Sequence, residues 1–95
     1  MARTRVFGLN GPQHYFRKTT LLASGWKSNS QTVSVPGILA NEDSQLVISM
    51  PATSSMTEYI DSTVLCTGQG SGTLTFTCED VPTHDLTIYL LVEVL

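Results

Sequence analysis

Apolar and polar positions alternate most regularly between residues 62 and 78, where two runs of β-forming residues flank a Gly-Gln-Gly-Ser-Gly centre. In the second run Leu74, Phe76 and Cys78 share one parity and Thr73, Thr75 and Thr77 the other, so a strand there has one apolar and one threonine face. A β-hairpin turning at Gly70 to Gly72 brings Val64 and Cys66 of the first arm onto the same core face. Period-two patterning predicts further strands over residues 19–23, 31–35, 45–50 and 86–95, with Pro36-Gly37 and Pro51 closing the second and third. In the last strand, alternation gives way to apolar residues of both parities at Leu90, Leu91 and Val92, the pattern of a strand buried on both faces. In so small a domain the second covering surface is expected from another subunit, which assigns Tyr89, Leu91, Val92 and Leu95 to an oligomer interface.

Helical signals are confined to one place. Ser55-Met56-Thr57-Glu58 has the form of a capping box and predicts a short connector helix over residues 55–61, with Met56, Tyr59 and Ile60 packing inwards. The expected fold class is therefore all-β: a small antiparallel β-sandwich, jelly-roll or Ig-like, of about six strands with one short helix. Trp26, the sole tryptophan, follows a glycine at a strand end and is expected in the core or plugging its edge.

Residues 1–18 break this pattern and read as an extended N-terminal arm ahead of a domain at 19–95, because Gly8, Asn10, Gly11 and Pro12 interrupt any period. The arm is too apolar for a solvated tail, with Val6, Phe7, Leu9, Tyr15 and Phe16 in it. Charge sharpens the division: the five basic residues lie within the first 27 positions, and the eight acids follow from Glu42 onwards. An arm carrying Arg3, Arg5, Phe7, Tyr15, Phe16, Arg17 and Lys18 is thus expected to dock on a partner or on an acidic surface of its own assembly. Nucleic acid is not the expected partner, since the basic residues are sparse and the whole chain is at −3. The 95 residues make one domain that gains from oligomerisation, and no apolar run is long enough for membrane insertion or for a signal peptide, so a soluble, unprocessed chain is expected.

Candidate chemistry is thin. Cys66 and Cys78 lie on opposite arms of the hairpin; a disulfide between them needs Cα atoms within about 7 Å, and without an export signal reduced thiols packing as small apolar residues are the expectation. His14 and His84 lack the spacing to complete a zinc site with these cysteines, and Cys78, His84 and Asp85 can be drawn as a catalytic trio only by sequence distance. Asn41-Glu42-Asp43 offers oxygen ligands without the spacing of an EF-hand, and the glycine-rich turn lacks the Lys-Ser/Thr ending of a phosphate loop. No catalytic residue, metal or cofactor is expected.

Five segments taken together resemble a known family: Leu22-Ala23-Ser24-Gly25-Trp26, the run 31–38 (Gln-Thr-Val-Ser-Val-Pro-Gly-Ile), the helical turn at 54–60, Gly72-Thr73-Leu74-Thr75-Phe76-Thr77-Cys78, and the run 81–87 (Val-Pro-Thr-His-Asp-Leu-Thr). Their order and spacing over residues 19–95 resemble a small β-sandwich module of tailed-phage virion proteins, often found at the ends of head-fibre and tail-fibre chains of phages of gut Firmicutes. The resemblance implies a non-enzymatic structural protein on the virion surface, a homotrimer that decorates the particle and meets other phage capsid or tail proteins. Here the module is nearly the whole chain, which favours a capsid decoration or head-fibre protein docked through its arm. The alternative is a tail-fibre or baseplate module binding a host receptor or surface glycan, for which Trp26, Tyr59 and Tyr89 are the candidate aromatic platform.

Overall fold

The computed structural model describes residues 14–95, so the docking roles expected of Arg3, Arg5 and Phe7 lie outside the described residues. Among the described residues, six strands form two antiparallel three-stranded sheets packed as a small β-sandwich. In chain order they are β1 (His14–Leu21), β2 (Ser30–Ser34), β3 (Gln45–Pro51), β4 (Leu65–Gly70), β5 (Thr73–Thr77) and β6 (Leu86–Val94). One sheet has the order β1-β6-β3 and the other β2-β5-β4. The short helix α1 (Met56–Asp61) follows a 3-10 turn at Thr53–Ser55 and carries the chain from one sheet to the other.

Alternation explains which side chains meet. From β6, Leu86, Ile88, Leu90 and Val92 are buried and face Leu74 and Phe76 of β5, with Leu21, Val35, Ile38, Val64 and Cys78 completing the core. The hairpin forms, with a β-bulge between Cys66 and Gly68 in its first arm, which begins at Leu65 and leaves Val64 just ahead of the strand. Cys66 pairs with Phe76, and a two-residue turn at Ser71-Gly72 joins the arms, with Gly72 at a φ of 72° that a side chain would strain. Threonine and serine cover most of the outside of this sheet, with Leu65 at its β4 edge, and the Thr32 and Thr75 hydroxyls meet there at 2.8 Å.

Three expectations are corrected. The first strand starts at His14, within the stretch assigned to the arm, so Tyr15, Phe16, Arg17 and Lys18 sit in β1, paired with β6. Arg17 hid this strand by occupying an inward parity; its guanidinium lies 4.2 Å from the centre of the Tyr15 ring, leaving the charge at the sheet edge in solvent. Val92, expected at an oligomer interface, is fully buried in its own sandwich because alternation persists through Leu90, Leu91 and Val92. The capping box does not form either: Ser55 Oγ accepts from Thr87 N at 2.9 Å, tying α1 to β6, and Ile60 points outwards, exposed.

The helix ends in a way that its composition conceals. Thr63 N–H donates to Ile60 O at 3.0 Å and Val64 N–H to Tyr59 O at 3.1 Å, the two bonds of a Schellman motif. Thr63 holds the left-handed position at a φ of 53°, where glycine is usual.

Candidate assembly surface

The outer face of the β1-β6-β3 sheet is apolar. Register sets it out in rows: His14, Glu93 and Leu46 lie side by side, then Phe16, Leu91 and Ile48, then Lys18, Tyr89 and Met50. Phe16 is 72% exposed, Met50 60%, Tyr89 49%, Ile48 46% and Leu46 45%, and Leu91 is half-buried among them. Neighbouring strands lie about 4.8 Å apart, so these side chains form one continuous patch. Scattered surface hydrophobes are ordinary, but a contiguous patch on a sheet marks a surface meant to be covered.

β3 makes the arrangement pointed. Its inward parity carries Gln45, Val47, Ser49 and Pro51, while its outward parity carries Leu46, Ile48 and Met50. The more hydrophobic side of the strand thus faces away from the core. Gln45 can sit inside because its groups are satisfied: Leu39 N–H donates to its Oε1 at 2.8 Å, and its Nε2 donates to Gly37 O at 3.1 Å and lies 3.4 Å from the Tyr15 hydroxyl. The opposite outer face, on the β2-β5-β4 sheet, presents Thr32, Ser34, Thr73, Thr75 and Thr77, with the exposed Leu65 of β4 beside Thr77 as its one large apolar side chain.

The expected interface residues divide accordingly. Tyr89 and Leu91 lie on the apolar face, Leu95 is exposed just beyond β6, and Val92 is internal. Of the expected docking residues, Phe16 and Lys18 lie on this face, Tyr15 turns inwards to donate to Gly37 O at 3.2 Å, and Arg17 stacks on it. The sequence does not mark Leu46, Ile48 and Met50 as surface residues. Their period-two spacing was visible, but Val47 gave the other parity an apolar residue too, and nothing in the strand shows that a glutamine is its buried end.

The other candidate groups do not converge. His84 Nδ1 lies 3.0 Å from Glu58 Oε1, Asp85 Oδ1 accepts from Ala23 N at 2.8 Å, and the Cys78 thiol faces Asn29 O at 3.8 Å, so the trio drawn from sequence distance is three separate structural contacts. Thr83 N–H and hydroxyl both donate to Glu58 Oε2, at 2.6 and 3.0 Å. The Thr83 backbone bond leads in holding the Glu58 carboxyl below its ordinary pKa of 4.5, against a smaller opposing effect of burial. Both thiols are free; burial pushes the Cys66 thiol up, and burial followed by the charge of Asp80 does the same at Cys78. Asn41 Oδ1 accepts from Asp43 N at 2.9 Å in a local turn, and among the described residues no group of three His, Cys, Asp or Glu could hold a metal ion. A cavity of about 300 Å³ opens between the edge strands β3 and β4, lined by Gln45, Val47, Cys66 and Gln69, and Gln69 spans its mouth by donating to Leu39 O and Gln45 O at 2.8 and 3.1 Å. Trp26 and Tyr59 pack against the core, so of the three candidate platform aromatics Tyr89 is the one on the open face.

Comparison of the chain with models of protein families, with curated proteins and with solved structures finds no match.

Proposed function

We propose that this protein is a non-enzymatic assembly module, and specifically a structural protein of a bacteriophage virion: a capsid decoration or head-fibre type protein. The observation that supports an assembly role is the sidedness of the sandwich, with Phe16, Leu46, Ile48, Met50, Tyr89 and Leu91 on one outer face and serine and threonine, broken only by Leu65 at one edge, on the other. A small sandwich that buries its first face in an assembly and turns its hydroxyl face to solvent is suited to a particle surface. The virion setting rests on the resemblance of residues 19–95 to phage fibre modules. Residues 1–13, with Arg3, Arg5 and Phe7, are the remaining docking segment once β1 is counted into the sandwich.

Expression of the labelled chain during infection by a phage that encodes it, followed by imaging of purified particles, tests this reading. Label on the particle surface is the expected result. Removal of residues 1–13 is expected to reduce incorporation while leaving the circular dichroism of the sandwich unchanged. Particles lacking the protein at wild-type expression would overturn the virion role.

A further inference from the structure

We propose that the apolar face of the β1-β6-β3 sheet is covered by the same face of a second copy of this chain, the two sheets packed with their β6 strands antiparallel. The proposal rests on the assembly reading above and names the partner for that surface. Two packed sheets lie about 10 Å apart, with the side chains of their facing surfaces interdigitated. The six apolar residues of this face supply such a layer, centred on the Phe16, Leu91 and Ile48 row.

Charge decides both the partner and its orientation. Lys18 lies in the row on one side of that centre and Glu93 in the row on the other. A two-fold axis running across the strands through the central row lays β1 on β1, β6 on β6 and β3 on β3, with strand directions reversed. Each row flanking the centre then meets the opposite flanking row: Lys18 comes over the partner's neutral His14 and reaches diagonally, one strand or about 4.8 Å to the side, to the partner's Glu93, twice by symmetry. Met50 meets the partner's Leu46, and Ile48 and Leu91 each meet their own copies. A two-fold axis along the strands would instead set Glu93 against the partner's Glu93 and leave Lys18 over the partner's Met50, which like-charge repulsion and desolvation both disfavour. The face is therefore complementary to itself in one orientation. Such an isologous contact closes as a dimer, in place of the trimer that the family resemblance implies.

The test uses the full chain at micromolar concentration, by sedimentation equilibrium at low ionic strength. A dimer is expected. Ile48→Asp is expected to give a folded monomer, with circular dichroism and thermal unfolding confirming the fold. Lys18→Glu and Glu93→Lys are each expected to weaken dimerisation about tenfold, through the like charges they create, and the double exchange to restore it. A photo-crosslinker carried at position 48 should join two chains. A monomer or a trimer overturns the proposal, as does a dimer indifferent to Ile48→Asp; failure of the double exchange to restore affinity overturns the antiparallel arrangement. Crosslinking of position 48 to residues 1–13 of the same chain would assign the face to that segment and also overturn it. Particle incorporation is scored separately. A monomer still built into particles sinks the second copy and leaves the assembly reading intact, and a dimer absent from particles does the reverse.

Discussion

Gln31 grips both backbone groups of Leu22: Leu22 N–H donates to Gln31 Oε1 and Gln31 Nε2 donates to Leu22 O, each at 3.0 Å. A side chain here takes the place of a ladder partner just where the chain leaves β1 and crosses towards β2. Gln31→Leu is expected to cost about 2 kcal/mol, since two backbone groups lose their partners in a partly buried setting. Thermal unfolding should show a midpoint lower by about 10 °C for a domain of this size. A Cβ added at Gly25 would lie 2.6 Å from Gln31 Oε1, so Gly25→Ala should destabilise the wild type more than it destabilises Gln31→Ala. Additive losses in the four proteins would count against the clamp.

The two parities of the first sheet should answer substitution oppositely. Leu90→Ala, in the core, is expected to cost about 2–5 kcal/mol. Met50→Gln, on the outer face, should change the stability of the monomer by no more than about 0.5 kcal/mol. Urea denaturation of the two variants in an Ile48→Asp background, where association does not contribute, checks the contrast.

Helix α1 ends under strain that one substitution relieves. Thr63 is β-branched and left-handed, which costs of order 1 kcal/mol or more, while glycine carries an entropy penalty in the unfolded chain. Thr63→Gly should raise stability by about 0.5–1 kcal/mol, and Thr63→Val should lower it or leave it unchanged. Denaturant midpoints in the opposite order would show that the Thr63 side chain makes a stabilising contact of its own.

Acid should loosen the loop before β6. The Glu58 carboxyl holds Thr83 and His84, and its pKa in the folded protein lies below the ordinary 4.5. Its contribution to stability is fully present above the ordinary value and is lost as pH falls through the folded value. Stability followed from neutral pH downwards should therefore decline below pH 4.5, and Glu58→Gln should remove part of that decline. An unchanged slope in the variant would locate the acid sensitivity elsewhere.

Buried thiols react slowly. With both raised in pKa, Cys66 and Cys78 should label with a thiol reagent at neutral pH at least about tenfold more slowly in the native protein than in denaturant. Two equivalents should react once the chain is unfolded in the absence of reductant. A single equivalent, or none, would mean that the cysteines are oxidised in solution.

Much of the sandwich could be read from the chain because its strands repeat every two residues: Leu74 and Phe76 alternate cleanly with threonine, and both proved to be fully buried. Alternation fixes parity, however, and not direction. In β3 the parity with the better hydrophobes faces out, a choice made by Gln45 through Gly37, Leu39 and Tyr15, which are remote from it in strand pairing and invisible to a local pattern. The last strand misled for a related reason. Its doubly apolar run did signal two surfaces, but Val92 belongs to the inner one and Leu91 to the outer. His14 to Lys18 read as an arm in the sequence because an arginine on the inward parity breaks the pattern, and its accommodation on an aromatic ring at a sheet edge has no one-dimensional signature.

The placement of β6 between β1 and β3 has a consequence for synthesis. The sheet β2-β5-β4 draws on residues 30–77 and can pair as soon as they leave the ribosome, whereas β1 and β3 share no ladder until the sixth strand arrives to lie between them. During that interval Leu46, Ile48 and Met50 belong to an unpaired strand, the state in which chaperones and aggregation compete for a nascent chain. Docking of β6 is thus the closing step of the whole domain, and slow docking of that strand lengthens the time the half-built sandwich spends exposed.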